Sequence, residues 1–389
     1  MIPLGDLLYE FKDRPKPGES EPEVLTLTER NGFVAQRDRF SKRLAVENTS
    51  KYKLIGMFDI AFNPYLLWAG AIAQNRHWHK AIISPLYPTF RTREAVDPNY
   101  LIRLLLTEDM IARYDTIAYG SVPRKRRTSV DDFLALQVPD LPPLLEQRRI
   151  AAILDHADTL RTKRRETTVG LNELSEAIFV EMFDRDIESG DYILLGEALS
   201  SIDSGRSPKC QSRQASDGEY GVLKLSAVTT GTYLPGENKA LPLHESADAS
   251  NEVRVGDILF TRKNTRDLVA ASAYVQSTPA RMLLPDLIFR LNLRDHVGLD
   301  ARYVQRALMY PLIRAKIQRL AVGSAGSMPN VSKAKLATVA IPRPSMDKQR
   351  EFRRRIEKVE DQRAQQLDSE KALDTLFTSL QSRAFRSAL

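Results

Sequence analysis

The chain has 389 residues, a formal net charge of +7 and 42% hydrophobic residues. This hydrophobic content is typical of folded domains and excludes disorder throughout, while the length predicts two or three domains. The single cysteine, Cys210, excludes an internal disulfide, and the longest apolar run, 65–73, is too short to cross a bilayer. The charged N-terminus does not fit a signal peptide. We therefore expect a cytoplasmic protein, whose positive charge permits nucleic-acid binding without proving it.

In chain order, short strand-like runs come first, bounded by Gly, Pro, Asn and Ser; 24–27 and 82–84 are examples. A single helix-like stretch follows at Tyr100–Tyr114. The junction "VPDLPPLLEQRR" from Val138 then leads into a long helical pattern from about Leu145 to Asp184. Its prolines lie just before the predicted helix, where proline is tolerated.

The second half repeats this order at an offset of about 200 residues. "FDIAFN" from Phe58 matches "GDILFT" from Gly256, and "DPNYLIRLLL" from Asp97 matches "DARYVQRALM" from Asp300. The corresponding elements are strand-like runs at 222–225 and 258–260, a helix-like stretch at Ala301–Leu320, the junction "IPRPSMDKQR" from Ile341 and a helical pattern from about Asp347 to Phe385. Because several matches keep their order and nearly the same offset, the sequence predicts a duplication.

Apolar residues recur at three-four spacing in both long patterns, which places them on one helix face. The first set is Ile150, Ile153, Ala157, Leu160, Leu171, Leu174, Ile178 and Met182. The second set is Phe352, Ile356, Val359, Leu373, Leu376, Leu380 and Phe385. Such long repeats are typical of a coiled-coil seam. Polar residues interrupt both midway (Arg164 and Thr167, Gln366 and Ser369), either as a solvated stretch or as a buried pair that selects the register.

The chain can return from the second mixed domain only by running back along the first helix. We therefore predict an α+β fold in which two pseudo-symmetric mixed β domains with helices are separated by two long antiparallel coiled-coil helices of about 50 Å. The predicted boundaries are 1–141 and 188–343 for the two domains, and 142–187 and 344–389 for the two spacer helices.

Three segments resemble one known family, the specificity (S) subunits of type I restriction–modification enzymes. "VPDLPPLLEQRRIAAILDHAD" at 138–158 is similar to the family's proline-rich turn, Glu-Gln pair and long helix. "IISPLYPTF" from Ile82 and "GSAGSMPNVSKAKLATVAIP" from Gly323 resemble parts of its target-recognition domains. The second junction departs from the family pattern, since Asp347 and Lys348 precede Gln349. The loop after Gly120, "GSVPRKRRTSV", departs as well.

The resemblance implies that each target-recognition domain reads one half of a split sequence in double-stranded DNA. It implies that the helices set the gap and dock adenine-specific methyltransferase subunits, two copies expected, and ATP-dependent restriction/translocase subunits. The residues expected at the docking surface are Glu146, Gln147, Ile150, Leu154, Gln349 and Phe352. S-adenosylmethionine, ATP and magnesium are then expected in the partner subunits and no cofactor in this chain. The alternative is a coiled-coil adaptor that joins proteins and does not read DNA.

DNA contacts require basic side chains for phosphates, and basic, amide or hydroxyl side chains for base edges. The candidates are Asn63, Arg76, His77, His79, Lys80, Ser121, Arg124, Lys125, Arg126, Arg127, Arg206, Lys209, Arg213, Arg262, Lys263, Asn264, Arg266, Ser324, Ser327 and Asn330. A basic run is otherwise a solvated face. The same two alternatives apply to basic clusters on the long helices, at 161–165 and 353–355.

No set of residues indicates catalysis. The chain lacks a P-loop, and "NPY" at 63–65 lacks the second proline of the amino-methyltransferase motif, so a strand-ending turn is the simpler interpretation. His77 and His79 have no Cys or third His nearby in sequence, so we predict no metal site. We therefore expect a non-catalytic protein.

Overall fold

The structure, a computed structural model, describes residues 1–16, 22–29, 31–39, 49–120, 126–323 and 328–385. The chain forms two compact units. Unit 1 consists of Met1–Thr167 with Gln366–Leu389, and unit 2 consists of Thr168–Gln365. Each unit therefore holds one mixed domain and about half of each long helix.

Unit 1 carries two four-stranded sheets, with the strand orders β2-β9-β6-β7 and β4-β3-β8-β5, and a β1-β10 pair. Its strands are β1 (Ile2–Pro3), β2 (Leu8–Phe11), β3 (Glu23–Leu27), β4 (Phe33–Ala35), β5 (Lys53–Ile55), β6 (Ile60–Phe62), β7 (Ile72–Gln74), β8 (Ala81–Ile83), β9 (Thr89–Thr92) and β10 (Gln137–Val138). Its helices are α1 (Gln36–Arg39), α2 (Pro98–Leu105), α3 (Glu108–Thr116), α4 (Val130–Ala135) and the first part of α5 (Leu144–Ser189).

Unit 2 carries a four-stranded sheet in the order β12-β18-β15-β16, a three-stranded sheet β14-β13-β17 and a β11-β19 pair. Its strands are β11 (Tyr192–Leu194), β12 (Leu199–Ser204), β13 (Gly221–Leu223), β14 (Asn238–Ala240), β15 (Ile258–Thr261), β16 (Ser272–Tyr274), β17 (Met282–Leu283), β18 (Ile288–Leu293) and β19 (Ala340–Pro342). Its helices are α6 (Leu195–Ala198), α7 (Ala301–Met309), α8 (Pro311–Leu320), α9 (Lys333–Ala337) and the first part of α10 (Met346–Phe385).

The two units share the topology of the central sheet and of one parallel strand pair, as the predicted duplication requires. The order β2-β9-β6-β7 corresponds strand by strand to β12-β18-β15-β16. The parallel pair β3-β8 corresponds to the parallel pair β13-β17. Both central sheets bury large rings, Phe62 and Phe90 in unit 1 and Phe260 and Phe289 in unit 2. Each such ring contributes about 1.5–3 kcal/mol of burial free energy.

Each predicted helix-like stretch is in fact two helices. In unit 1 the break falls at Thr107, whose hydroxyl accepts a hydrogen bond from the Met110 amide and so starts α3. In unit 2 the break falls at Pro311, the first residue of α8. Proline lacks the amide N–H that would continue α7. The apolar pattern continues across both breaks, so it predicted one helix where the cap at Thr107 and the proline at Pro311 each start a second one.

The two long helices agree with the predicted bounds within five residues, and they pair antiparallel in each unit. In unit 1 the Arg161 guanidinium lies 2.6 Å from the Asp374 carboxylate. In unit 2 the Arg355 guanidinium lies 3.4 Å from the Glu181 carboxylate. Other pairs follow the same course, since residue numbers rise on one helix as they fall on the other: Arg165–Glu370, Arg363–Asn172 and Lys348–Asp186. Among the described residues, no helix is long and apolar enough to cross a membrane.

The buried helix face matches the predicted seam only in part. The predicted seam residues that are buried include Ile150, Ala157, Phe352, Ile356 and Val359. Ile153, Leu160 and Leu174 are 37%, 40% and 46% exposed. Leu154 is buried instead in unit 1, and Phe179 is buried in unit 2. The reason is that each helix packs against its own mixed domain as well as against the other helix, and the domain selects a shifted face. The ring of Phe179, for example, lies 5.9 Å from that of Tyr303 on α7.

The polar middle of α5 is a solvated stretch. Arg164 and Thr167 are exposed, and the Arg164 guanidinium donates to the Gln366 amide oxygen at 2.5 Å. A buried polar pair that selects the register is therefore not what the structure shows. Most of the basic residues on the long helices are paired with acids, as in Arg161–Asp374, Arg165–Glu370, Arg353–Asp300, Arg354–Glu351 and Arg355–Glu351.

Candidate nucleic-acid interface

Two candidate segments of unit 2 meet where β15 ends. The Arg262 amide donates to the Leu287 carbonyl at 3.1 Å, and the Arg262 carbonyl accepts from the Val331 amide at 2.8 Å. Lys263 forms an isolated β-bridge with Asn330. We call residues 262–264 with 329–331 junction 2. Because backbone hydrogen bonds hold junction 2 on both sides, the Cα positions from which its side chains project are fixed.

The Arg262 side chain is anchored within junction 2. Its Nε donates to the Asn330 Oδ1 at 3.0 Å, and its Cζ lies 5.1 Å from the centroid of the buried Phe289 ring. The Lys333 ammonium lies 5.7 Å from the same ring. Two cations over one aromatic ring form a positively charged surface that is attractive to an anion.

The segment 204–213 lies beside junction 2. Ser204 pairs with Phe289 in the sheet, the Ser207 hydroxyl hydrogen-bonds the Asp286 carboxylate, and Arg206 is exposed, with its Nη2 3.3 Å from the Ser246 carbonyl. Lys209 and, in the loop after β15, Arg266 are exposed as well. The sheet therefore brings the start of this segment, at Ser204, next to Phe289, whose ring lies near the Arg262 side chain.

Two of the DNA-contact candidates in unit 2 already bind other groups of the same chain. Arg213 forms a bidentate ion pair with Glu219, at 2.6 and 2.7 Å, and these bonds lower the pKa of the Glu219 carboxyl to about 2. Asn264 is only 7% exposed, and its Oδ1 accepts from the Thr265 amide. Asn264 therefore shapes the turn and does not present its amide to a groove.

Unit 1 has an equivalent junction. The Thr128 amide donates to the Pro64 carbonyl at 2.9 Å, and Tyr119 and Arg127 exchange two backbone hydrogen bonds. We call residues 63–65 with 126–128 junction 1. The Asn63 Oδ1 accepts from the Tyr65 amide at 3.0 Å, which is the strand-ending turn favoured for "NPY". This bond uses the Asn63 oxygen within the turn.

The two described arginines of the basic run behave differently. Arg126 pairs with the Asp115 carboxylate at 2.5 Å and its Cζ lies 5.5 Å from the Trp68 ring. Arg127 is exposed, with its Cζ 5.8 Å from the Tyr65 ring centroid. Arg127 is thus the better placed of the two for an external contact. The remaining loop candidates lie outside the described residues: Ser121, Arg124, Lys125, Ser324 and Ser327.

The side chains of the run 74–80 have different surroundings. Arg76 faces helix α5, because its Nη1 lies 3.0 Å from the Asp155 carboxylate and its Nε donates to Gln74. His77, His79 and Lys80 are exposed and stay candidates. Within the described ranges, no group of three or more His, Cys, Asp or Glu side chains is arranged to hold a metal ion.

Comparison with known proteins was made for sequence and for fold. No model of a protein family matches the chain. The EcoEI type I restriction enzyme specificity subunit of Escherichia coli is 30% identical over 155 residues, which is 40% of this chain and 26% of that protein. The match therefore spans about a quarter of the relative's length.

Two solved structures share the fold. The S subunit of a type I restriction-modification system from M. genitalium has a TM-score of 0.59 at 13% identity, over 98% of this chain and 95% of that one. A chain from a structure of type I system complex assembly and conformational transition has a TM-score of 0.51 at 17% identity, over 100% and 97%. The chain resembles the specificity subunits of type I restriction–modification systems. The resemblance inferred from the sequence and the predicted fold class are both confirmed.

The residues predicted to dock partner subunits have other roles in the structure. Ile150, Leu154 and Phe352 lie in the two hydrophobic cores and are at most 4% exposed. Gln147 and Gln349 are 1% and 0% exposed. Buried side chains cannot present themselves to another subunit. Of the six predicted residues, Glu146 alone is partly exposed, and its carboxylate accepts from Arg149.

Gln147 and Gln349 are equivalent locks between each domain and its long helix. The Gln147 Oε1 accepts from the Asp97 amide at 2.8 Å, and its Nε2 donates to the Ala95 and Pro142 carbonyls at 3.2 and 2.8 Å. Gln349 makes the same three bonds, accepting from Asp300 and donating to Gly298 and Pro344. The family's glutamine therefore has a positioning role in each unit.

Sequence reasoning missed the aromatic platforms of the two junctions, Tyr65 and Phe289. Tyr65 was weighed only as part of "NPY", and Phe289 has the appearance of an ordinary core residue of β18. Lys333, which shares the Phe289 ring with Arg262, was missed as well. A signal existed in part, since Lys333 lies three residues after Asn330, which was already a candidate.

Proposed function

We propose that this chain is the DNA-recognition subunit of a type I restriction–modification complex. Each mixed domain reads one part of a split target in double-stranded DNA, and the long helices hold the two readers at a defined gap. The chain itself is non-catalytic. Methylation, ATP hydrolysis and cleavage belong to partner subunits, which bind S-adenosylmethionine, ATP and magnesium.

One observation carries this proposal: the same arrangement occurs twice in one chain. Each unit has a central sheet, a two-loop junction with an arginine over an aromatic ring, and a glutamine lock onto a long helix. Two equivalent reading domains are suited to two separated DNA segments. The likeness to the S subunit from M. genitalium over nearly the whole chain supports the same conclusion.

The exposed sides of the long helices provide a docking surface for two adenine-specific methyltransferase subunits and for ATP-dependent restriction subunits. Ile153 and Leu160 lie two helical turns apart on α5, and both are more than a third exposed. Exposed apolar side chains aligned on one helix face are typical of contact surfaces for partners. We place the assembly in the cytoplasm, where bacterial DNA is.

The test is selection of DNA from a random duplex library by the chain assembled with the methyltransferase subunit encoded beside it. We expect enrichment of one bipartite motif with a fixed gap, and methylation of an adenine within that motif. Binding should weaken steeply with salt, because phosphate contacts release counterions.

The adaptor alternative makes a different prediction for the same experiment. An adaptor would still assemble with its protein partners, but the selected DNA would contain no enriched motif. Enrichment of a single continuous motif would contradict the two-reader arrangement.

A further inference from the structure

We propose that Arg262 of junction 2 reads a guanine, at one defined position in the half of the target that unit 2 recognises. The inference rests on the proposed function and adds to it the residue and the base. It comes from the way in which this one guanidinium is held, compared with the other cations around it.

Arg262 is anchored through Nε alone. Nε donates to the Asn330 Oδ1, and Cζ lies 5.1 Å from the centroid of the buried Phe289 ring. Among the described residues, neither Nη1 nor Nη2 has a hydrogen-bond or ion-pair partner. Nη1 and Nη2 are therefore two adjacent donor groups without partners, which we call the free fork. The direction of the side chain that carries them is already fixed by its Nε bond.

The backbone that carries the Asn330 side chain is itself held by hydrogen bonds. Asn330 exchanges two backbone hydrogen bonds of 3.0 Å with Val322, and its neighbour Val331 donates to the Arg262 carbonyl at 2.8 Å. Phe289 is 1% exposed and pairs with both Ser204 and Phe260 in the sheet. Neither support can move without disturbing the central sheet or the junction.

The chemistry of a free fork selects the base. Guanine presents two acceptors, N7 and O6, on its major-groove edge, and an arginine that donates to both is the commonest base-specific contact in protein–DNA complexes. A phosphate contact needs no fixed direction, because charge alone supplies most of its affinity. Pre-orientation by Asn330 and Phe289 therefore indicates base reading.

The neighbouring cations do not share this arrangement. Arg213 is already bidentate with Glu219. Lys209 and Arg266 are exposed, and no anchoring partner holds either one in the part of unit 2 that the structure describes. These two are suited to phosphates, and Lys209 provides a matched control for the loss of one cation.

The experiment compares the motifs selected from random duplex DNA by the assembled wild-type complex and by Arg262→Lys, which keeps the charge but loses the fork. We expect the substitution to relax one G·C position of one half of the motif by roughly tenfold or more. The other half, the gap and the salt dependence should stay as in wild type. Lys209→Ala should weaken binding to all sequences alike and leave the motif unchanged.

Asn330→Ala provides a second variant that keeps Arg262 and removes its anchor. It should weaken the preference at the same G·C position and at no other. An unchanged motif in both variants overturns the inference, and so does a uniform loss of affinity for all sequences in Arg262→Lys. If the wild-type complex selects a bipartite motif without guanine or cytosine in one half, the inference fails while the proposed function stands. If the wild type selects no motif, the proposed function itself fails.

Discussion

At the scale of single residues, each unit has an aspartate just before one strand of the central sheet and an arginine on the neighbouring strand. Asp59 is buried and Asp257 is partly buried. The Asp59 carboxylate lies 3.1 Å from the Arg91 guanidinium in unit 1, and the Asp257 carboxylate lies 3.6 Å from that of Arg290 in unit 2. Each also accepts a backbone hydrogen bond from three residues earlier, from Gly56 and from Arg254. Burial raises the pKa of both aspartates, and these hydrogen bonds and arginines only partly offset it.

These aspartates predict a pH dependence of stability with a definite sign. A carboxyl whose folded pKa lies above its ordinary value of 3.8 contributes stability that is complete below that value and is lost as the pH rises through the folded pKa. The free energy of unfolding of wild type minus that of Asp59→Asn should therefore fall as the pH rises above 3.8. Urea denaturation over a pH series measures this difference in free energy of unfolding. The difference for Asp257→Asn should fall with rising pH in the same way.

Glu219 provides the control of opposite sign. Its pKa is lowered to about 2, so the stability that it contributes is lost as the pH falls. The same difference for Glu219→Gln should therefore rise with pH. If the Asp59 difference also rises with pH, the ionised carboxylate is stabilised in the fold and burial is not the dominant effect.

At the scale of elements, the glutamine locks connect the start of each long helix to the domain before it. Gln147 on α5 satisfies the first amide at the N-terminal end of α2 and two loop carbonyls. Gln349 on α10 does the same for α7. The two glutamine side chains are 1% and 0% exposed, so the backbone groups that they bind lose a buried hydrogen-bond partner when the glutamine is replaced.

Replacing Gln147 by Leu should destabilise unit 1 by about 3 kcal/mol, since it leaves three backbone groups without partners while keeping the side-chain volume. Gln349→Leu should have the same effect on unit 2. Chemical denaturation measures both free energies of unfolding. Gln137→Leu is the control: Gln137 is exposed, so its change should stay within about 0.5 kcal/mol. Equal effects of Gln147→Leu and Gln137→Leu would contradict the role of the lock.

Sequence patterns predicted elements better than they predicted contacts. The strands and long helices follow from local alternation and spacing, and the predicted 258–260 is observed as Ile258–Thr261. The buried helix face could not be predicted, because it depends on the domain that packs against the helix. Arg76 shows the same limit: its acidic partner, Asp155, lies 79 residues further along the chain. Long-range pairs of this kind leave no local pattern.

At the scale of the whole molecule, the duplication has kept the scaffold and changed the reading surface. The central-sheet order, the Asp–Arg pairs and the glutamine locks recur in both units. The junctions differ, since junction 1 has Arg127 near Tyr65 whereas junction 2 has Arg262 near Phe289. Under the proposed function, equivalent scaffolds with different residues at the junctions would suit a DNA target whose two halves differ.

In the proposed function the scaffold also binds partner subunits, and the exposed face of α5 predicts where. Ile153 and Leu160 are 37% and 40% exposed in the folded chain, so charged substitutions there should leave its free energy of unfolding within about 0.5 kcal/mol of wild type. The double variant Ile153→Glu, Leu160→Glu should nevertheless weaken assembly with the methyltransferase subunit at least tenfold, because two carboxylates would enter an apolar contact. Sedimentation velocity of mixtures measures the assembly. Leu243→Glu is the matched control, since Leu243 is 100% exposed but lies in a loop of unit 2 and not on a long helix. Equal assembly of both variants would place the docking surface elsewhere on the helices.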